Sequence, residues 1–160
     1  MGKTVVDRVR ELEGKSRLLT SHLIDAIWVI DLASMTYEYI SASIERISGF
    51  TTEELIGASV KDRMSEETFS DISKVVEGAL SQLKKGSEPT RVLEAELYHK
   101  NGSTYWIEIT VKALKESGGP FKAIGVSKDI TQRKILEKEQ KNLIKELRST
   151  VAEKEQLRAE

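Results

Sequence analysis

Side chains able to do chemistry are sparse in this chain and poorly grouped. The 160 residues contain no cysteine, which removes thiolate nucleophiles, disulfides, cysteine-based zinc sites and iron–sulfur clusters. His22 and His99 are the two imidazoles, the groups suited to a metal or a haem iron. They fall on separate elements, and neither has ligand spacing around it. His22 is followed by Leu23-Ile24-Asp25, so it lacks the acidic neighbour of a phosphoacceptor histidine. No Gly-x-Ser-x-Gly motif, complete Gly-x-x-x-x-Gly-Lys-Ser/Thr phosphate loop, His-Glu-x-x-His motif or carboxylate pair with a base partner occurs. Two aromatic planes, Trp28 and Trp106, could flank a pocket. Asp129-Ile130-Thr131-Gln132-Arg133 follows an apolar strand-like run and leads into a helical one. There Asp129 can cap the outgoing helix by accepting a backbone N–H near Gln132, a contact typically worth ~1 kcal/mol.

The elements that must position these groups are legible as pattern. Val5, Val9, Leu12, Ser16, Leu19 and Leu23 recur at alternating steps of four and three, interrupted by Gly14. Two arrangements satisfy this N-terminal helix: a coiled-coil dimer seam through Val5, Val9, Leu12, Leu19 and Leu23, or packing on the domain's own sheet. A dimer accommodates both. Ala26-Ile-Trp-Val-Ile-Asp31 is apolar on both strand faces, as an interior strand requires. Ser34-Met35-Thr36 turns the chain into Tyr37-Glu-Tyr-Ile-Ser41. Ser43-Ile-Glu-Arg-Ile-Ser48 reads as a short helix ended by Gly49. Thr51-Thr52-Glu53-Glu54-Leu55-Ile56-Gly57 carries a cap, an acidic first turn and a terminal glycine.

A longer helix begins at Ser65 and keeps a 3.6-residue apolar period until Lys84-Lys85-Gly86. Leu93, Ala95 and Leu97 then alternate with Glu94, Glu96 and Tyr98, Lys100-Asn101-Gly102-Ser103 makes a hairpin, and Tyr105, Ile107, Ile109 and Val111 alternate in turn. Phe121-Lys-Ala-Ile-Gly-Val-Ser-Lys128 is the last strand. Two strands, a cluster of helices and three antiparallel strands specify an α+β fold, a five-stranded antiparallel sheet with helices on one face. If Tyr105 and Ile107 point inward, Trp106 faces the other side, against the N-terminal helix or a dimer partner.

Bulk numbers narrow the function. Hydrophobic residues make up 39%, charged residues 32%, and the net charge is -1. One core fits this length, and the absent basic excess argues against nucleic acid or an anionic membrane. No apolar run approaches the ~20 residues of a membrane span, and no signal-peptide core follows Met1. A soluble, cytoplasmic piece without direct membrane contact is expected.

Five stretches together resemble the PAS sensor family. They are Ala26-Ile-Trp-Val-Ile-Asp31; Tyr39-Ile-Ser41 running into Ile44-Glu-Arg-Ile-Ser-Gly49-Phe50; Thr52-Glu-Glu-Leu-Ile-Gly57; Lys100-Asn-Gly102 before Tyr105-Trp-Ile-Glu108; and Ile124-Gly-Val through Asp129-Ile-Thr131 with Arg133. The chain departs from the family at Ser41, where asparagine often braces the following helix, and at Met64-Ser-Glu-Glu-Thr68, where a His-Pro-Glu-Asp-like start is common.

The resemblance implies a PAS domain over residues 23–131, preceded by an amphipathic helix over 1–22 and followed by a signalling helix over 132–160. It implies a non-catalytic sensor or relay whose effector is a histidine kinase or, alternatively, a diguanylate cyclase. Asp129, Thr131 and Arg133 would couple the sheet to that helix. Leu136, Leu143 and Leu147 belong to a heptad-like stripe suited to a homodimer. The expected pocket lies between sheet and long helix, lined by Phe69, Ile72 and Val76 of the helix, Leu93 and Ala95 of one strand, and Ile107 and Ile109 of the next. A small apolar or aromatic ligand or a filled core satisfies this lining equally, and no cluster of charged or amide groups is visible to orient a polar ligand. No cofactor is required: cysteine-dependent flavin adducts and thioester chromophores lack their residue, and haem lacks a histidine at a pocket-facing position. Noncovalent flavin stays open. The alternatives are a ligand-free dimerisation module and a small enzyme on a PAS-like scaffold.

Overall fold

The computed structural model describes residues 2–15 and 24–159, with side chains over 2–12 and 24–159. Ser16, Leu19, His22 and Leu23 lie outside the described residues. The chain divides into two compact units, with the boundary after Asp129.

In the first unit, helix α1 (Val5–Lys15) precedes strands β1 (Ala26–Asp31) and β2 (Thr36–Ile40). Helices α2 (Ile44–Ser48) and α3 (Thr52–Leu55), a 3-10 turn (Val60–Arg63) and helix α4 (Glu66–Lys84) follow. Strands β3 (Thr90–Tyr98), β4 (Thr104–Lys115) and β5 (Phe121–Asp129) complete a five-stranded sheet in the order β2-β1-β5-β4-β3. All four pairings are antiparallel.

β1 is interior, as its two apolar faces require. Ala26, Trp28 and Ile30 join the main core, while Val29 joins a second cluster on the opposite face. That second cluster answers which arrangement α1 adopts here. Val9 is buried against Val29 and Tyr39, with Val5 and Val6 beside them, and the Arg10 guanidinium lies 5.9 Å from the Tyr39 ring centroid. A reciprocal cap starts the helix: Asp7 N–H donates to Thr4 Oγ1 at 3.0 Å, and Thr4 N–H to an Asp7 carboxylate oxygen at 3.2 Å. Glu116, from the β4–β5 turn, accepts from Val5 N–H at 3.1 Å. Leu12, by contrast, is exposed. Helices therefore cover both faces of the sheet, α1 on one and α4 on the other.

Local chemistry sets the helix ends. Gly49 closes α2 in the left-handed region (φ 78°), its N–H bonded to the Glu45 carbonyl. Thr51 accepts from Glu54 N–H, and Ser65 accepts from Thr68 N–H. Ser65 thus caps α4 at the point where the family motif departs. Ser41 acts as a brace in place of asparagine: its Oγ accepts from Ile27 N–H at 2.9 Å and bonds Ser43 Oγ at 2.9 Å. Ser43 then donates to the Asp25 carbonyl at 2.8 Å. The start of β1 is tied to α2 through two hydroxyls.

The second unit is one helix, α5 (Thr131–Ala159), 29 residues long and without a buried residue. Lys134 N–H donates to the Ile130 carbonyl at 2.9 Å to open it, and Arg133 pairs with Glu137 at 3.7 Å. Among the described residues no helix is long and apolar enough to cross a membrane.

Candidate functional site

Between α4 and the inner face of the sheet lies a cavity of about 90 Å3. Sequence alternation explains its walls. Ile107 and Ile109 project inward from β4, Leu93 from β3, and Ile72 and Val76 from one face of α4. These five of the seven expected lining residues do border the cavity. Phe69 and Ala95 belong to the same apolar core but do not border the space. Ala95 ends at its Cβ, and Phe69 sits in the first turn of α4, its ring 5.9 Å from the Lys61 ammonium.

Several cavity residues come from elements whose patterns did not point there. Trp28 and Ile30 enter from β1, Tyr37 from β2, Met35 from the turn between them, and Tyr105 from β4. The Trp28 indole N–H donates to Ser127 Oγ at 2.7 Å, so both polar groups are already satisfied. Gly125 leaves room for the indole: a Cβ there would overlap the Trp28 ring. Met35 adopts positive φ (55°), which turns its backbone sharply between β1 and β2.

No cluster of charged or amide groups was expected to orient a polar ligand, and one charged side chain, Arg63, borders the cavity and is 3% exposed. The stretch Val60-Lys61-Asp62-Arg63 reads as a solvated charge run. It forms a 3-10 turn, however, and at three residues per turn Val60 and Arg63 share the inward side. Arg63 Nη2 donates to the Tyr105 hydroxyl, and its guanidinium carbon stands 4.8 Å from the Phe50 ring centroid. Burial pushes the Tyr105 phenol up to about 12. Burial also raises Tyr37. Both are neutral phenols near pH 7.

Trp28 borders the cavity and Trp106 does not. Trp106 is half-buried on the face away from the cavity, as alternation requires, but it is not in the cluster beneath α1. The sheet order supplies the reason: α1 lies over β1 and β2, and β5 separates them from β4. His99, beside the Lys100-Asn101-Gly102 turn, is half-buried. Its ring stands edge-on to Tyr105 at 6.2 Å, and it packs close enough that a Cβ on Gly49 would fall 2.7 Å from Cε1. It does not border the cavity. Among the described residues no group of three His, Asp or Glu could hold a metal.

A PAS domain model matches residues 24–132. The chain belongs to the PAS domain family. A sensory box histidine kinase/response regulator from Burkholderia thailandensis E264 is similar in structure, with TM-score 0.64 and 20% identity over 84% of this chain and 98% of that one. The N-terminal domain of a diguanylate cyclase with PAS/PAC sensor from Marinobacter aquaeolei is 26% identical, with TM-score 0.50, over 68% and 97% of the two chains. A blue-light photoreceptor from Listeria innocua is 23% identical over 93 residues, 58% of this chain and 35% of the relative. This chain therefore spans about a third of that relative's length.

The three residues expected to couple the sheet to the outgoing helix divide at the border between the units. Asp129 is the last residue of β5, while Thr131 and Arg133 open α5. On α5, Leu136, Leu143 and Leu147 are all exposed. Ile144 and Val151, also exposed, widen the stripe beyond the positions that a strict four-three count selects.

Proposed function

We propose that this chain is a cytoplasmic PAS sensor or relay unit in which a small molecule, held between α4 and the sheet, biases the output of a C-terminal effector. The observation that carries this reading is the largely apolar cavity beneath α4, inside a unit whose last strand runs directly into α5. A histidine kinase is the first effector class and a diguanylate cyclase the second, by analogy with the proteins that carry similar domains. Asp129, Thr131 and Arg133 form the coupling segment. The stripe through Leu136, Leu143 and Leu147, with Val5 and Leu12 of α1 as a further contact, makes the unit a homodimer. A ligand-dependent bias of about 2 kcal/mol between two packings would change their ratio roughly thirtyfold, enough for signalling with no reaction in this unit.

The site's chemistry favours binding over catalysis, since Arg63 is the one charged side chain on the cavity wall and the phenols beside it, Tyr105 and Tyr37, stay neutral near pH 7. Cavity size argues about the ligand. An engineered cavity of about 150 Å3 holds benzene, so about 90 Å3 suits a smaller occupant, and a noncovalent flavin would have to open it considerably. That same size supports a second reading, a dimerisation module that works without a ligand.

Native mass spectrometry and an absorption spectrum of freshly purified protein test these together. A dimer with a retained small molecule supports the ligand-responsive reading. A dimer that never takes up a small molecule leaves the dimerisation module, and a visible flavin spectrum replaces the small ligand with a chromophore. In the intact parent, Asp129→Ala should leave the PAS core folded and make output insensitive to the signal; unchanged regulation would end the coupling role.

A further inference from the structure

Arg63 is the least expected resident of the PAS core. Its Nη2 is bonded to Tyr105, while its Nε and Nη1 are buried and meet no acceptor. Arginine carries its charge throughout the physiological range, and a buried cation without a counter-charge is costly. Its neighbours supply none. Tyr105 and Tyr37, both raised by burial, stay neutral phenols, the Phe50 ring offers only a weakly attractive face, and among the described residues no carboxylate pairs with Arg63. Elsewhere the cavity wall carries no charge, and its polar groups are the neutral Tyr37 and Tyr105 phenols, the Trp28 indole and Ser127. The Trp28 N–H is spent on Ser127, and Ile72, Val76, Ile107 and Ile109 present hydrocarbon. One unpaired cation set in an otherwise apolar chamber selects for a ligand with the opposite layout.

We propose that the cavity takes a small organic monoanion, a short unbranched carboxylate, whose carboxylate accepts hydrogen bonds from Arg63 and whose hydrocarbon end fills the space among Trp28, Ile30 and Val76. The inference rests on the ligand-cavity reading above and adds the charge and size of the ligand. Charge comes from Arg63, since a carboxylate is the acceptor that a guanidinium bonds best. Size comes from the volume of about 90 Å3, which admits a few carbons beside the carboxylate.

The test is an NMR titration of the intact chain with three probes: propionate, its neutral isostere propionamide, and xenon. Xenon reports the cavity without any polar recognition. Propionate should shift the Arg63 side-chain N–H signals and bind about tenfold or more tightly than propionamide. Arg63→Met should abolish that preference while xenon still binds. If the amide binds as well as the acid, or if neither binds while xenon does, the anion anchor falls and the cavity reading stands. If none of the three binds, the ligand-cavity reading falls and takes the anchor with it. Should Arg63→Met fail to fold, the acid-to-amide ratio in the unaltered protein decides.

Discussion

Gly125 stands opposite Trp28 across the β1–β5 pair, and the indole lies flat over it where any Cβ would overlap the ring. Gly125→Ala should therefore cost about 1–3 kcal/mol, the usual penalty for overpacking, read as a lower urea midpoint together with a shifted Trp28 emission. An unchanged midpoint would mean the indole has somewhere else to go. On the opposite face, Lys122 is buried and joins Asp31 at 3.3 Å and Glu38. Burial opposes ionisation of Asp31, but the Ala33 N–H and the Lys122 ammonium outweigh it and hold the carboxyl below its usual value. Burial likewise opposes the Lys122 charge, and the bonds to Glu38 and Asp31 outweigh it, raising the ammonium. The carboxyl contribution is thus present above pH about 4 and lost as acid carries the pH through the lowered folded value. The lysine contribution is present below pH about 10 and lost as the pH rises through the raised one. Urea midpoints against pH should show both limbs, and Lys122→Met should remove the alkaline limb and weaken the acid one, which keeps the Ala33 N–H bond to Asp31. Neither residue's role is legible locally: Lys122 alternates like any strand lysine, and Gly125 matters only once β1 is known to lie beside a strand about a hundred residues away. Arg63 is hidden for a different reason, since a lysine, an aspartate and an arginine in a row read as solvated until the 3-10 period turns the third inward.

Elements whose cues are local are the ones read correctly. Caps at Thr51 and Ser65, the left-handed Gly49 and the Asn101-Gly102 hairpin each depend on neighbours within four residues, so α2, α3, α4 and the β3–β4 pair appear where the pattern puts them. The partner of α1 was not decidable this way. Its apolar stripe fits another helix or a sheet equally, and the choice rests on Val29 and Tyr39 offering a matching outer face. Val9→Asp should release α1, with a loss of about 1.5–3 kcal/mol from the buried valine. The main core should persist, because it belongs to a separate cluster on the other face. Hydrogen exchange should accelerate over α1 and stay slow in β4 and β5; global unfolding would show the two clusters to be one cooperative body.

At the scale of the whole molecule, hairpin neighbours were readable and the sheet order β2-β1-β5-β4-β3 was not, since inserting β5 between β1 and β4 is a long-range choice that no local cue carries. The extent of the cavity follows from that order, which brings Trp28 and Tyr105 to one chamber. Helix α5 has no buried residue, so its exposed apolar residues gain only by association. Leu143→Ser with Leu147→Ser should lower the dimer fraction in sedimentation equilibrium at least tenfold, using about 1 kcal/mol or more per exposed leucine newly buried. The PAS core's circular dichroism in the near ultraviolet should be unchanged. A dimer untouched by both changes would move the contact to the sheet or to α1.

β1 has no idle side. Trp28 looks into the chamber while Val29, one peptide bond away, carries the N-terminal helix. A crankshaft tilt of that single peptide plane would move both at once and in opposite senses. The wall of the chamber and the seat of the helix are two faces of one lever, and neither can be re-engineered while the other stays still.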